Sequence, residues 1–150
     1  MSDEKIVVYR LTPQDADGGI NISAEQVLKA HYEHALTHDG RVVFTATSTK
    51  LYDKAKQIIL LLPHSDVALK ADIHSSGKFS NDTFDSQFSV PEKFQQETLE
   101  GEIAKGVAWY QLENTQLLIR KELKNQYIVE NNGNDISDYK GNSPFYAIHR

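Results

Sequence analysis

The stretch Arg41–Ser75 reads RVVFTATSTKLYDKAKQIILLLPHSDVALKADIHS and holds most of the strongly apolar sequence of this 150-residue chain. Within it, Val42–Ala46 is rich in β-branched and aromatic residues and begins two residues after Gly40, a residue type that often ends helices, so a strand is predicted there. Gln57–Leu62 is a short run, apolar on both faces, and it is too short to favour a buried helix. It therefore predicts a central strand that is covered on both sides.

The next segment, Val67–Ile73, predicts the hairpin partner of that central strand. Apolar residues at Val67, Leu69, Ala71 and Ile73 alternate with the intervening positions, and this period of two places one face inward and the other in water. Asp72 falls on the outward face, so we expect solvent around its carboxylate and no role for it as a catalytic acid.

A helix is predicted to run from Ala24 to about His38. Ser23 is the expected N-cap, because Gln26 stands at the capping-box position three residues later. The apolar residues of this segment recur at helical spacing, which predicts that one side of the helix packs against the sheet. Lys5–Leu11, before the helix, predicts a first strand, and the glycine-containing segment that follows it predicts a turn.

The second half of the chain predicts two strands and a hairpin turn between them. Val107–Leu112 is the first arm, Glu113–Thr115 is the turn, and Gln116–Arg120 is the second arm. Before them, Ser76–Ser89 is a polar loop with three phenylalanines, Phe79, Phe84 and Phe88, which either pin the loop to the core or grip a ligand. A short helix is expected from Pro91 to about Glu100.

Shorter signals complete the pattern toward the end of the chain. Tyr127–Val129 is an apolar island, Ile136–Tyr139 predicts one helical turn, and Phe145–Arg150 predicts a closing strand. The whole chain has one domain's length, so a single domain over residues 1–150 is expected. The fold class is predicted as α+β: about six or seven strands in a small, curved, mainly antiparallel β-barrel or half-barrel with helices packed against it.

Composition limits the function classes. The formal net charge of −5 gives no overall attraction to nucleic acid, although local basic groups remain, one of Lys50, Lys54 and Lys56 near Arg41 and one of Arg120, Lys121 and Lys124. The chain has no cysteine, which excludes thiolate metal sites and cysteine nucleophiles and suits a reducing compartment, so a cytoplasmic location is expected. Neither a signal sequence nor an apolar membrane span is predicted.

The predicted helix carries His31, His34 and His38. Their order, with His-Tyr-Glu-His between residues 31 and 34, departs from the His-Glu-x-x-His pattern of zinc proteases, so surface histidines near the helix end are the favoured interpretation and no metal site is predicted. The chain also lacks the glycine-rich phosphate loops, the dinucleotide fingerprint and the serine elbow. An enzyme is therefore the less favoured class, and no catalytic residue or cofactor is predicted.

The order of the predicted elements resembles the PUA-like superfamily, and within it the EVE and YTH-type domains. Three segments carry the resemblance: Arg41–Thr47, Ala68–Ile73 and Val107–Tyr110. The resemblance implies a small curved β-barrel with helices at its openings and a non-catalytic function in binding RNA or DNA that contains a modified base. It also implies a pocket in which aromatic faces and a few hydrogen bonds hold the base.

Ligand-binding residues are predicted on that basis. Trp109 and Phe44 supply aromatic faces, and Thr45, Thr47 and Ser48 supply contacts to the base edge. Because neighbours on a strand point to opposite sides, Tyr110 is assigned to the core and Trp109 to the pocket or its rim. The alternative is an acidic adaptor or accessory protein that binds a protein partner and no nucleic acid.

Overall fold

The structure is a computed structural model that describes residues 5–16, 20–46, 50–62, 65–78, 88–91, 108–139 and 144–149. The regular elements are the strands β1 (Lys5–Arg10), β2 (Gln14–Ala16), β3 (Ile20–Ile22), β4 (Val42–Thr45), β5 (Ala55–Leu61), β6 (Val67–Lys78), β7 (Ala108–Ile119), β8 (Tyr127–Val129) and β9 (Phe145–His149), with the helix α1 (Ala24–Leu36). Two 3₁₀ turns, the Arg120 turn (Arg120–Leu123) and the Ile136 turn (Ile136–Asp138), flank β8.

Seven of the strands form one mixed sheet in the order β4-β7-β6-β5-β1-β9-β8, and β2 and β3 form a separate hairpin. Only β1 and β5 run parallel; the other pairs of the large sheet are antiparallel. The α+β class with a seven-stranded, mainly antiparallel sheet is therefore confirmed. The segment predicted as a turn before the helix contains the β2–β3 hairpin.

Of the predicted barrel or half-barrel, the described strands do not form the closed barrel, because β4 and β8 lie at opposite ends of the sheet and do not pair. The backbone groups at both ends have irregular segments as partners. Val43 on β4 donates its N–H to the carbonyl of Ser89 (2.8 Å), and Ile128 on β8 forms an isolated bridge with Asp135. Edge strands that are satisfied in this way have no need to pair with each other.

Helix α1 begins where the sequence predicts. The Ser23 side chain accepts from the backbone N–H of Gln26, and the Gln26 side chain accepts from the backbone N–H of Ser23, a complete capping box. The helix ends at Leu36, two residues before the predicted end. Asp39 (φ 56°) and Gly40 (φ 81°) follow in the left-handed region, which turns the chain toward β4.

The sheet has a core on each face. The larger core lies between the sheet and α1, and β5 contributes Ile58 and Leu60 to it. The smaller core lies on the other face, where Ile59 and Leu61 of β5 pack with residues that include Leu123, Tyr127 and Ile136. The prediction that β5 is central and covered on both sides is therefore confirmed.

Strand β6 pairs with β5 as predicted, but it continues beyond the predicted strand to Lys78. Its inward face is also less regular than expected. Leu69 and Ala71 are buried, whereas Val67 is 38% exposed and Ala68, predicted to face outward, is fully buried in the smaller core. The second core explains this difference, since it covers part of the face that the alternation assigned to solvent.

The predicted hairpin of the second half is wrong, because residues 108–119 form one strand along β6. The three residues predicted as a turn lie at a β-bulge, where Asp72 pairs with Glu113 and Lys70 pairs with Gln116, so that β7 holds one extra residue. Asn114 has φ 54° there and donates its side-chain amide to Asp72 (2.9 Å). Asn tolerates the left-handed region in bulges as well as in turns, which explains the error.

Other predictions have mixed outcomes. The strand at Tyr127–Val129, the turn at Ile136 and the terminal strand are present. Phe88 is buried and its ring stacks near His74 (4.9 Å between centroids), so this ring holds its segment to the core. Phe79, Phe84 and the helix expected up to Glu100 lie outside the described residues. Within the described part of the chain, no helix has the length and apolar character to cross a membrane.

Candidate functional site

The structure separates the predicted aromatic site residues. Phe44 is paired with Tyr110, and Thr45 is paired with Trp109, across β4 and β7. Directly paired residues project to the same face of a sheet, so Thr45 and Trp109 share one face and Phe44 points to the other. Thr47 and Ser48 lie outside the described residues. Of the five predicted ligand-binding residues, the structure brings together Trp109 and Thr45.

Phe44 is a core residue in this structure, with 3% of its surface exposed. Its ring contacts Tyr9 (5.3 Å between centroids), His31 (5.6 Å) and Tyr110 (6.4 Å). Thr45 is also buried, at 7% exposure. A ring with these neighbours stabilises the contact between the sheet and α1. Because both of its faces are covered by protein, it cannot stack on a base.

Trp109 is half-buried, and its indole lies against the backbone of the neighbouring strand at Gly77. A Cβ atom added at Gly77 would lie 2.7 Å from Cζ2 of the indole, well inside van der Waals contact. Glycine at this strand position therefore allows the ring to approach the backbone closely. The ligand role of Trp109 remains a prediction, and the assignment of Tyr110 to the core agrees with its complete burial.

A cluster of tyrosines that the sequence reasoning missed surrounds Tyr110. The hydroxyls of Tyr9 and Tyr110 are hydrogen-bonded (2.8 Å), and the N–H of Tyr52 donates to the Tyr110 hydroxyl (3.1 Å). The Tyr52 hydroxyl donates to the carbonyl of Pro144 (3.1 Å). Burial raises the pKa of both Tyr9 and Tyr110, so these phenols stay protonated and act as structural links between distant segments.

The helix histidines are less exposed than predicted. His31 is 3% exposed and its Nδ1 lies 2.7 Å from the carbonyl of Val27, to which it donates. Burial lowers the pKa of His31 to about 4, so this ring is neutral at pH 7. His34 is also buried, bonds to the Ser89 hydroxyl (2.8 Å) and stacks on His38 (3.8 Å between centroids). No metal-binding group of three or more suitable side chains occurs among the described residues.

The two predicted basic groups differ in the structure. In the first group, Arg41 pairs with Asp39 (3.8 Å) and the Lys50 ammonium lies over the Tyr52 ring (4.9 Å to the centroid). The second group lines a concave surface, where Arg10 from β1 joins Arg120, Lys121 and Lys124. We call this concavity the basic groove; its volume is about 790 Å³, and it is lined by Arg10, Ser65, Asp66, Arg120, Lys121, Lys124, Ser137, Asp138 and Tyr139.

The topology of the sheet explains why these cations meet. Arg10 ends β1, and the parallel strand β5 ends beside it, where the N–H of Leu11 donates to the carbonyl of Leu61 (2.9 Å). Strand β7 runs in the same direction as β1 and β5, so Arg120, the residue after its last position, lies at the same end of the sheet. The carboxyl ends of parallel strands are a common place for ligand sites in α/β sheets, and the basic groove lies at such an edge.

Arg120 is the fixed part of the groove. Its guanidinium donates to the carbonyls of Ser137 (3.0 Å), Leu62 (3.4 Å) and Tyr139. Burial and, next, the charge of Arg10 lower the pKa of Arg120. The carboxylates of Asp138 and Asp66 act on this pKa in the opposite direction, and the guanidinium of Arg120 remains protonated.

The charges of the described lining are suited to an anion. Four cationic side chains face two carboxylates, those of Asp66 and Asp138. Lys121 and Lys124 are exposed, so their ammonium groups can move to a ligand, while Tyr139 adds an aromatic ring to the rim. The sequence signal that could have found Arg10 is its position at the end of an apolar strand, but no local pattern links it to Arg120.

Comparisons of the chain with protein-family models, with curated proteins and with solved structures find no match.

Proposed function

We propose that this protein is a non-catalytic module that binds single-stranded nucleic acid and that the basic groove holds its phosphate backbone. The observation that carries this proposal is the convergence of four cationic side chains in one concave surface of a chain whose net charge is −5. Because the rest of the surface is acidic on average, a polyanion is steered to this groove and away from other faces.

The rim of the groove fits a single strand in a second way. Tyr139 lines it, and this ring packs edge-on against Phe145 (4.4 Å between centroids), which holds its orientation. Grooves that bind single strands commonly combine lysine and arginine contacts to phosphates with aromatic rings that stack on bases. Arg120 supplies a fixed guanidinium, and Lys121 and Lys124 supply mobile charges beside it.

The finer part of the proposal concerns the base. A PUA-like reader of a modified base would use Trp109 and Thr45, which share a face of the sheet. Trp109 and Arg120 lie near opposite ends of β7, roughly 35 Å apart at the rise of an extended strand. The groove and the Trp109 face therefore cannot hold the same nucleotide, and base reading is a separate contact with its own test.

Binding of labelled single-stranded RNA and DNA, measured by fluorescence anisotropy over a salt series, tests the groove. The double variant Lys121→Glu, Lys124→Glu should bind at least tenfold more weakly at low salt. If both lysines contact phosphates, the slope of log K against log salt should fall by about 1.4, since each phosphate contact on a single strand contributes about 0.7.

The matched control is Lys54→Glu, Lys56→Glu, which makes the same charge change at two other exposed lysines. This control should reduce binding by much less than the groove variant. Equal losses in the two variants would mean that binding follows overall charge, and the groove would then have no special role. Oligonucleotides that differ by one methylated base, tested with wild type and Trp109→Ala, decide the finer proposal separately.

The alternative of an acidic adaptor has one observation in its favour, an exposed apolar strip of Leu36, Val67, Leu117 and Ile119. Exposed apolar patches often mark protein contacts. If the wild-type protein binds none of the oligonucleotides at low salt, the nucleic-acid proposal fails. The adaptor is then the favoured function.

A further inference from the structure

The outer edge of β7 loses its neighbour halfway along the strand. Strand β4 pairs with β7 only from Trp109 to Leu112, and the carbonyl of Gly40 accepts from the N–H of Thr115 (3.3 Å). Beyond that point, over Gln116–Ile119, the described part of the chain places no strand on this side of β7. The inner side of the same residues is paired with β6.

The direction of the backbone groups along this edge follows from two hydrogen bonds. Thr115 donates outward to Gly40, and Arg120 donates inward to the carbonyl of Asp66. Since backbone groups alternate between the two sides of a strand, the N–H and C=O of Leu117 and Ile119 point to the outer edge. Those of Gln116 and Leu118 point to β6.

The side chains beside this edge are apolar. Leu117 is 41% exposed and Ile119 is 51% exposed, on the same face as Val67 at 38%. An apolar groove of about 470 Å³ lies next to them, and Leu36 and Tyr32 of α1 contribute to its lining. Exposed edges in natural sheets usually carry lysine, proline or a bulge against pairing. Gln116–Ile119 has no lysine or proline, and the bulge of β7 lies before Gln116.

We propose that this edge pairs with the same edge of a second copy of the chain, so that the two sheets join through antiparallel β7 strands in a symmetric dimer. The twofold symmetry axis would pass between Leu118 and Leu118 of the partner subunit, which lie opposite each other. Leu117 would then lie opposite Ile119 of the partner subunit, and the reverse pair would form on the other side of the axis. Both pairs would be of the hydrogen-bonded type that exchanges two backbone bonds.

Self-pairing fits this edge because the segment complements itself. In the register centred on Leu118, Gln116 lies opposite Arg120 of the partner subunit, and no like charges face each other within the strand. Leu117 and Ile119 lie on one face, so their opposed pairing places apolar side chains together beside the apolar groove. A register centred on Leu117 would instead use the outward N–H of Thr115, which already donates to Gly40.

The expected dimer is weak and salt-dependent. Only a short edge and a few side chains meet, and interfaces below about 1,200 Å² are usually transient. Each copy carries a net charge of −5, so long-range repulsion opposes association at low salt, and screening should strengthen the dimer. This salt dependence is opposite in sign to that expected for nucleic acid in the basic groove.

Sedimentation equilibrium of the wild-type chain from about 10 µM to about 1 mM, a range that covers weak complexes, tests the dimer. Amide hydrogen exchange measured by NMR at both ends of the range tests the edge. The N–H groups of Leu117 and Ile119 should gain protection at high concentration, whereas those of Gln116 and Leu118 should be protected at every concentration. A chain that stays monomeric throughout overturns the proposal.

Two double variants at exposed positions test the register. Leu117→Lys with Ile119→Lys places lysines opposite lysines across the axis and should abolish the dimer. Leu117→Lys with Ile119→Glu places each introduced lysine opposite an introduced glutamate of the partner subunit and should keep it. Asn131→Lys, in an exposed turn, is the control and should leave association as in wild type. Wild-type association in the first variant, or loss of the dimer in both, would overturn the proposed pairing.

Discussion

The two ends of β7 have similar strand-forming sequences and very different surroundings. At the Trp109 end the strand lies between β4 and β6, and Tyr110 and Leu112 are fully buried. At the Leu117 end, which we call the open end, the described residues place a strand on one side of β7 only, and the chain leads directly into the Arg120 turn and the basic groove. The neighbours of a strand, more than its own residues, decide whether it serves as core or as a surface for partners.

The largest expected difference between the two ends is in stability. Tyr110→Ala should lower the free energy of unfolding by about 3–5 kcal/mol, because it removes a fully buried ring and leaves Tyr9 without its hydroxyl partner. Leu117→Ala, at the open end, should change it by no more than about 0.5 kcal/mol. Urea unfolding at concentrations where the chain is monomeric measures both. Equal effects would mean that the open end is packed as tightly as the covered end.

A smaller effect, on the pH dependence of stability, reports on the covered end through His31, whose ring contacts Phe44. The pKa of His31 is about 4 in the folded protein against an ordinary 6.5, so the unfolded chain binds the proton more readily between these values. The neutral His31 ring therefore contributes about 3 kcal/mol to the free energy of unfolding above pH 6.5. This contribution is lost progressively as the pH falls from 6.5 toward 4.

Urea unfolding of wild type and His31→Gln between pH 4 and pH 7.5 measures this contribution as a difference, so that carboxylate titration common to both proteins cancels. The stability difference between them should shrink as the pH falls. A difference that stays constant over the range would show that His31 titrates normally and is not enclosed by the covered end.

The smallest expected difference in stability is between substitutions of two neighbouring cationic residues at the open end. Arg120→Ala should lower the free energy of unfolding by about 2 kcal/mol, because three backbone carbonyls lose a charged donor. Lys121→Ala, at an exposed position, should have an effect within about 0.5 kcal/mol. Thermal unfolding at fixed salt compares them. If the two variants behave alike, Arg120 does not anchor the Ile136 turn.

The sequence predicts the local elements well, for identifiable reasons. The start of α1 rests on Ser23 and Gln26, three residues apart, and the position of β5 rests on a continuous apolar run. The prediction for β7 failed because Asn114 suits both a turn and a bulge, and only the β6 strand beside it distinguishes the two. For the candidate site, the sequence identified Arg120, Lys121 and Lys124 as a group but had no means of adding Arg10.

What the sequence determined by itself is which segments are extended, where the helix begins, and that the chain is acidic with isolated basic groups. These properties depend on periodicity, caps and composition, which act over a few residues. The tertiary structure decided that β1 and β5 run parallel, that Phe44 and Trp109 face opposite sides, and that no described strand pairs with the outer edge of β7 at Leu117. Each of these depends on the register and order of strands distant in sequence, because pairing between distant strands fixes which side chains meet and which backbone groups remain for a partner.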